Sequence, residues 1–229
     1  MSQKDWWNAR FSNDKNIISQ GGQAETAKIL TDTLWVAGVK DFHKILGQAK
    51  GRTCLDLGCG FGQLSRHFDQ LGFEVTAVDF SENALAVLKS HSPHIKTAIQ
   101  DITRPLPFGD MTFDVVIANL CLHYFCKRDT ENAIAEINRV LKPGGLLIGS
   151  VLSQEEFEVV KDVLEFVEIE PNFYHEIFDD GRKKHVRFFN REDIEHFFAG
   201  FEVLYLENKF EQRMGKAKGA WEFILKNNG

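Results

Sequence analysis

The sequence predicts an α/β fold with a doubly wound, mostly parallel sheet. Short apolar strands alternate with segments of helical periodicity between residues 53 and 151, which is typical of parallel strands joined by right-handed crossovers. The first strand runs directly into a loop of three alternating glycines, which is typical of a ligand site at the carboxyl edge of such a sheet. The 229 residues suit one domain with a sizeable core.

The composition narrows the class of protein. The chain is 43% hydrophobic and 26% charged, and its net charge of −6 makes DNA an unexpected partner. No apolar run approaches the roughly 18 residues of a membrane span, and the N-terminus lacks the apolar core of a signal peptide, so no membrane association is expected. The cysteines fit neither zinc spacing nor a disulfide framework, which predicts free thiols, no metal site and a cytoplasmic location: Cys54, Cys59, Cys121 and Cys126.

The N-terminal region precedes the alternating strands and helices. Residues 1–22 are polar apart from aromatic anchors at Trp6, Trp7 and Phe11. From 25 to 46, apolar residues recur at helical spacing, which predicts a helix that breaks near Gly38.

The alternating core comes next. Apolar runs predict five strands, at 53–57, 73–79, 95–100, 113–119 and 146–151. Helical patterns between them predict helices at 63–71, 81–90 and 130–141. Gly72 is expected to end the first helix and Ser81 to cap the second, while the sequence Lys-Pro-Gly-Gly at 142–145 is expected to stop the third.

The C-terminal part has a different pattern. It predicts a hairpin with strands at 173–178 and 183–189, a helix at 190–198, and two further strands at 201–206 and 220–225. An Asp-Gly turn joins the hairpin strands. Residues 207–219 are charged and contain glycine, so we expect a linker there.

The glycine loop carries a resemblance to a known family. Residues 55–62, Leu-Asp-Leu-Gly-Cys-Gly-Phe-Gly, resemble the first motif of class I S-adenosylmethionine (SAM)-dependent methyltransferases. A dinucleotide fingerprint would place its third glycine at Gln63, and dinucleotide binding is the competing interpretation of the loop taken alone. Four later segments resemble further motifs of the family in the expected order, at 100–102, 106–116, 119–124 and 141–147.

The resemblance implies a more detailed architecture. The sheet would be Rossmann-like and have seven strands with an antiparallel last strand, an N-terminal helical lid and a hairpin insertion after strand five. The whole chain, 1–229, would form one methyltransferase domain. Within it, 1–48 would be the lid, 49–152 the SAM-binding core, and 153–229 the substrate cap with the final strands.

The methionine end of the cofactor would lie along the glycine loop. By resemblance, Gly58, Cys59 and Gly60 would pass along the methionine part of SAM. Asp56 would lie close to its ammonium group, and Asn119 would offer its backbone there. A role for Asp56 in bracing the loop is the alternative.

The adenosine end would meet residues after the second and third strands. Asp79 would accept hydrogen bonds from the ribose hydroxyls, and Phe80 would cover one face of the adenine. Asp101 and the backbone of Ile102 would meet the adenine edge. For Phe80, a place in the core is the alternative.

His123 is the candidate catalytic base. It lies four residues after Asn119, on the loop that faces the transferred methyl group in this family, and the ordinary pKa of histidine suits proton removal near neutral pH. Contact with substrate or cofactor and simple packing are the alternatives. The resemblance implies methyl transfer from SAM to an O, S or N atom, with S-adenosylhomocysteine (SAH) as the product.

The acceptor is expected to be a small molecule, aromatic or anionic. The segment 119–122, Asn-Leu-Cys-Leu, departs from the Asn/Asp-Pro-Pro-Tyr of nucleobase amine methyltransferases. A basic run at 182–185 with Arg187 could attract an anion. Protein or RNA methylation, or SAM binding without catalysis, are the alternatives, and a homodimer contact through Trp6 and Trp7 stays open.

Overall fold

A computed structural model describes residues 7, 9, 11, 12, 35–213 and 216–229. Trp6 and residues 13–34 lie outside the described part, and with them most of the helix expected at 25–46. Of that helix, a 3₁₀ turn at Trp35–Gly38 and the helix α1 at Phe42–Leu46 are described. The expected break near Gly38 is therefore confirmed.

Seven strands form the main sheet. In chain order they are β1 (Thr53–Leu57), β2 (Glu74–Asp79), β3 (Lys96–Ile99), β4 (Phe113–Asn119), β5 (Leu141–Leu152), β9 (Phe201–Arg213) and β10 (Lys216–Asn227). Across the sheet they lie in the order β3-β2-β1-β4-β5-β10-β9. Strand β10 runs antiparallel to both neighbours, β5 and β9, and strands β1 to β5 pair with one another in parallel. The predicted doubly wound sheet with an antiparallel last strand is confirmed.

The helices connect these strands on both faces of the sheet. They are α2 (Gln63–Gln70), α3 (Glu82–His91), α4 (Lys127–Val140), α5 (Gln154–Val160) and α6 (Arg191–Phe197), with a second 3₁₀ turn at Leu122–Tyr124. The Ser81 hydroxyl accepts a hydrogen bond from the Ala84 backbone N–H, as expected for the cap of α3. Asn190 forms a capping box with Asp193 at the start of α6.

The boundary between α4 and β5 differs from the expected one. The helix starts earlier, at Lys127, and β5 begins at Leu141, directly after the helix ends. Residues 142–145 form an irregularity inside the strand, because the pairing shifts from Phe113–Leu141 to Val115–Leu146. The Pro-Gly-Gly sequence therefore bends a strand that has already begun.

The prediction of a linker at 207–219 is wrong. Strands β9 and β10 pair from Phe201–Asn227 to Arg213–Lys216, with one register shift between Ile224 and Leu225. One charged side chain of this stretch pairs across the strands, since Lys209 lies 2.7 Å from Glu222. Ladder hydrogen bonds and such cross-strand pairs outweigh the polar composition.

A second, three-stranded sheet follows β5 and forms what we call the cap sheet. It contains β6 (Glu165–Glu170), β7 (Phe173–Ile177) and β8 (Lys183–Arg187), all antiparallel. The hairpin of β7 and β8 confirms the prediction. The sequence pattern does not predict α5 or β6, since β6 is an edge strand whose Val167 and Ile169 are about half exposed.

Apolar side chains pack on both faces of the main sheet. One cluster includes Leu55, Val116 and Phe223, and the other includes Cys54, Val115 and Phe68. Aromatic rings join the cap sheet to α5: Phe157, Phe166, Tyr174 and Phe188. Within the described residues, no helix has the length and apolar character needed to cross a membrane.

Candidate active site

The glycine loop after β1 has a backbone that side chains would obstruct. Gly58, Gly60 and Gly62 have φ angles of 62°, 52° and 73°, which glycine adopts without strain. A Cβ atom on Gly58 would lie 2.8 Å from the Cβ atom of Cys121, and one on Gly62 would lie 2.4 Å from the Leu88 side chain. The loop is thus wedged between α3 and the segment after β4.

Asp79, at the end of β2, anchors this loop. Its Oδ2 accepts a hydrogen bond from the Gly60 N–H at 2.9 Å, and its Oδ1 accepts one from the Ser81 N–H at 2.9 Å. The side chain is only 4% exposed, and burial raises the pKa of its carboxyl above the usual value. Each oxygen can accept a second hydrogen bond, so capacity for a ligand hydroxyl remains.

Asp56 lies beneath the loop in β1. It is 2% exposed, and the Ser65 hydroxyl donates to its Oδ2 at 2.5 Å. Burial raises the pKa of Asp56 to about 7; the Ser65 hydrogen bond opposes that shift and the nearby Asp79 charge adds to it. The contact with Ser65 fits the alternative in which Asp56 braces the loop against α2, and its contact with the cofactor ammonium stays a prediction.

The residues expected around adenine lie at and after the ends of β2 and β3. Phe80 is half-buried and Ile102 is buried. Asp101 is exposed, and its Oδ1 accepts hydrogen bonds from the backbone N–H and hydroxyl of Thr103 at 3.0 and 2.7 Å. The Gln100 N–H donates to the Asp79 carbonyl, so the two strand ends are adjacent. Their roles toward adenine remain predictions.

Asn119 ends β4 in a network that the sequence did not reveal. Its Oδ1 accepts hydrogen bonds from the Trp35 indole Nε1 at 2.9 Å and from the Ser150 hydroxyl at 2.7 Å. Ser150 follows a run of apolar residues and glycine in β5. A polar residue at this place in a buried strand was the sequence signal that could have indicated the network. The Trp35 ring also stacks on Tyr205 of β9.

His123 lies in the 3₁₀ turn after β4 and is 1% exposed. Strand β8 of the cap sheet contacts this turn. The His123 Nδ1 has no hydrogen-bond partner among the described residues. Burial, followed by the charge of Lys184, holds the pKa of His123 well below its usual value, so the ring is neutral at neutral pH. The candidate base is therefore unprotonated but covered by the cap sheet.

Aromatic residues from the N-terminus lie across the loop. Phe11 contacts Phe61 with ring centroids 5.0 Å apart, and Trp7 contacts Phe11 at 5.5 Å and Tyr124 at 4.9 Å. A Cβ atom on Gly60 would lie 3.7 Å from the Phe11 ring. The described part of the N-terminus thus covers the glycine loop, and closure of a lid over a ligand stays a prediction.

The cysteines near the site are neutral thiols. All four are free, and burial raises the pKa of Cys59 and of Cys121. Among the residues that the structure describes, no group of three or more His, Cys, Asp or Glu side chains could hold a metal ion.

Comparison with known sequences identifies the central part of the chain. Residues 55–149 match the family described as methyltransferase domain. An uncharacterized methyltransferase of Synechocystis is 36% identical over 118 residues, covering 50% of this chain and 55% of that protein. A demethylmenaquinone methyltransferase of Staphylococcus aureus is 36% identical over 130 residues, covering 54% and 53%. The chain spans about half the length of these curated relatives.

Solved structures agree on the fold. The 1,6-didemethyltoxoflavin-N1-methyltransferase of Burkholderia thailandensis, solved with that compound and SAH bound, has a TM-score of 0.64 at 16% identity. The match covers 100% of this chain and 92% of that one. A [4+2]-cyclase also matches, with a TM-score of 0.56 at 20% identity over 77% of this chain and 74% of that one. At these identities the likeness shows the fold alone.

Fold and loop together define an open α/β protein with a glycine loop at the carboxyl edge of its parallel strands, which is the edge where such sheets bind ligands. The sequence match within that class is more specific. Residues 55–149 of this chain match the methyltransferase domain family.

Proposed function

We propose that this protein transfers a methyl group from SAM to an O, S or N atom of a small-molecule acceptor. The observation that carries the proposal is the left-handed glycine loop whose Gly60 N–H is held by Asp79. This loop lies inside the segment that matches the methyltransferase domain family. A Cβ atom on Gly58 or Gly62 would collide with neighbouring side chains, so the loop geometry depends on glycine at both positions.

The residues present fit SAM. Gly58, Cys59 and Gly60 would follow its methionine part, with the Asn119 backbone near the ammonium group. Asp79 keeps unused lone pairs for ribose hydroxyls, and it is the strand-end acid nearest the loop. Phe80, Asp101 and Ile102 would border the adenine, because the Gln100 N–H ties the end of β3 to Asp79.

The chemistry asks little of the protein beyond positioning. When bound, SAM supplies a methyl group already activated by its sulfonium. The chain contributes orientation and exclusion of water. For the second task the aromatic cover of Trp7, Phe11 and Tyr124 lies beside the loop, and the cap sheet closes over His123.

His123 is proposed to contact the acceptor. A neutral imidazole can take a proton from an attacking hydroxyl or thiol, but at 1% exposure it reaches only an acceptor that enters between the cap sheet and the turn after β4. Packing remains the competing role. The low pKa of the ring favours contact over a strong base.

An aromatic or anionic acceptor is the narrower proposal. Named relatives include demethylmenaquinone and malonyl-[acyl-carrier protein] O-methyltransferases. The basic run at 182–187 supports an anion only weakly, since three of its side chains pair with acids of this chain: Arg182 with Asp180, Lys184 with Glu176, and Arg187 with Glu170. Cap aromatics such as Tyr174 and Phe188 pack on one another, so the cap sheet buries part of its own apolar surface.

The cyclase with this fold keeps a role other than methyl transfer open, and protein or RNA acceptors remain in view. Free cysteines support a cytoplasmic location. A homodimer contact through Trp6 and Trp7 is a further proposal.

Calorimetric titration with SAM, SAH and NAD tests the cofactor. We expect micromolar binding of SAM and SAH and no binding of NAD. Transfer of labelled methyl groups from SAM to a cell extract then separates the acceptor classes, because small-molecule methylation labels only material below roughly 10 kDa, well under the size of most folded domains. Binding of NAD in place of SAM would overturn the proposal, and SAM binding with no transfer would favour a non-catalytic module.

A further inference from the structure

The orientation of the Asn119 amide is fixed by its partners. An indole N–H can only donate a hydrogen bond, so the atom 2.9 Å from the Trp35 Nε1 must be the amide oxygen. The Ser150 hydroxyl lies 2.7 Å from the same oxygen. Two donors use both lone pairs of Oδ1, and the amide is held in one orientation.

The other end of the amide is therefore committed as a donor. The Nδ2 group lies opposite Oδ1 in the planar amide and carries two N–H bonds. It donates to none of the residues that the structure describes, and Asn119 is half-buried rather than exposed. The Nδ2 group is not among the buried atoms that lack a partner, so it can donate to water or to a ligand that replaces the water.

The position of Asn119 is next to the proposed methyl-transfer centre. It ends β4, and two residues later the Cβ atom of Cys121 lies against Gly58 of the glycine loop. Across the sheet, Asn119 pairs with Ser150, and Ser150 pairs with Glu222. Lys209 lies 2.7 Å from Glu222 and offsets its charge. The residues paired across the sheet with Asn119 therefore do not repel a negatively charged acceptor.

We propose that Asn119 determines the specificity of the acceptor by donating Nδ2–H to an oxygen of it. This inference rests on the proposed function. The acceptor class is then a compound that presents a phenol, enolate or carboxylate oxygen to Asn119. A protonated amine presented to the same point has no lone pair to accept this hydrogen bond, and the lone pair of an aromatic amine is delocalised into its ring and accepts only weakly. The site therefore disfavours both kinds of amine. Trp35 and Ser150 act as positioning residues, because they hold the oxygen end of the amide away from the acceptor.

Two matched pairs of small probes test this on the SAH-loaded protein: catechol with ortho-phenylenediamine, and benzoate with benzylamine. The readout is the NMR signal of the Asn119 side-chain amide, assigned by its loss in Asn119→Asp. We expect saturable shifts of this signal with catechol or benzoate and none with the two amines. Equal or stronger effects of the amines, or no shift with either oxygen probe, would overturn the inference.

Asn119→Asp is the informative variant, since it keeps an oxygen for Trp35 and Ser150 but replaces the donor by an acceptor. We expect it to weaken binding of the responsive oxygen probe at least about tenfold, the loss for one hydrogen bond to a charged group. Because this variant lacks the reporter amide, binding of the probe to it and to the unmodified protein is compared by calorimetry. Trp35→Phe is the matched control: it releases Oδ1, lets the amide turn, and should relax the discrimination between oxygen and amine probes without abolishing binding. Unchanged discrimination in both variants would contradict the role.

The same samples keep this inference separate from the proposed function. SAH affinity, measured by calorimetry before each probe titration, reports the cofactor site. Normal SAH binding with an unresponsive Asn119 overturns the specificity role alone. Loss of SAH binding in the unmodified protein overturns the proposed function, whatever the probes do.

Discussion

The glycine loop and the cap sheet are stabilised by different kinds of contact. In the loop, backbone N–H groups bond to a buried carboxylate, and Asp79 and Asp56 are 4% and 2% exposed. In the cap sheet, side chains add to the backbone ladders through aromatic contacts and the ion pairs of Lys184 and Arg187. The loop depends on the conformation of its backbone, whereas the cap depends on which side chains it carries.

This difference indicates where sequence change is tolerated. Replacing a side chain in the cap alters a surface that can repack, while adding one atom to the loop displaces backbone. We therefore expect acceptor preference to be adjustable through the cap sheet and the end of β4. The cofactor site should tolerate little change.

The largest expected effect comes from a pair of glycines with similar backbone angles. Gly62 and Gly181 have φ angles of 73° and 78°. A Cβ atom on Gly62 would lie 2.4 Å from buried Leu88, but one on Gly181 would meet no atom within 4 Å. Gly62→Ala should lower the free energy of unfolding by about 3 kcal/mol, from strain plus overpacking, and Gly181→Ala by about 1 kcal/mol from strain alone.

Chemical denaturation and SAM calorimetry on both variants measure this contrast. Gly62→Ala should also weaken SAM binding at least about tenfold, because the loop moves relative to Asp79. Gly181→Ala should leave SAM affinity unchanged. Equal losses of stability in the two variants would show that contact with Leu88 does not restrict the loop.

His123 lies where the two regions meet, and its replacement has the next largest effect. His123→Gln keeps the capacity for hydrogen bonds, but the glutamine amide cannot accept a proton near neutral pH. If the ring is a base, turnover should fall by about 10²-fold while SAM affinity stays within about twofold. The measurement is the pH profile of turnover with labelled SAM, together with calorimetry.

The alternatives for His123 give different results. A contact role raises KM for the acceptor and leaves the pH profile of kcat unchanged. A packing role lowers thermal stability with turnover per folded molecule preserved. In the unmodified protein, a basic role requires turnover to fall only at acidic pH, because burial and then Lys184 hold the pKa of His123 well below its usual value.

The smallest expected effect concerns the pH dependence of stability in the loop region. Burial raises the pKa of Asp56 from 3.8 to about 7, so between these values the folded protein keeps a proton that the unfolded chain has lost. Stability from this group therefore falls as pH rises toward 7 and levels off above it. Asp56→Asn removes the titration, and its advantage over the unmodified protein should grow by about 2 kcal/mol between about pH 5 and about pH 8.

Asp114 supplies a control of opposite sign. Burial raises its pKa, but hydrogen bonds from Lys142 and Thr53 outweigh burial and hold the pKa below the usual value. Its stabilisation is therefore present at neutral pH and is lost in acid, so Asp114→Asn should be most harmful at neutral pH. Parallel stability curves for Asp56→Asn and the unmodified protein would contradict the raised pKa of Asp56.

Much of the glycine loop and its surroundings could be predicted from the sequence, because the sequence signals there are local. Glycines at 58, 60 and 62, the strand-end acid Asp79 and the cap at Ser81 each impose geometry on their own neighbours. Strand order and the antiparallel β10 came from family resemblance. The roles of the site residues toward SAM remain predictions, since the contacts described lie within the protein.

The sequence-based predictions were wrong or incomplete where contacts between residues distant in the chain determine the structure. The charged stretch at 207–219 resembles a loop until its partner strand is known, and β6 has an alternation too weak to mark an edge strand. The bond between Trp35 and Asn119 joins residues 84 positions apart. Periodicity, capping and turn chemistry do not encode such pairs.

The place of β10 in the sheet has a consequence for the order of folding. Strand β9 pairs with no strand other than β10 within the described part of the chain, and β10 is synthesised after it. Until residues 216–227 have left the ribosome, β9 has no partner and the outer edge of β5 stays open. The main sheet is therefore completed by inserting its last-made strand between two earlier ones, a non-local step of the kind that slows folding.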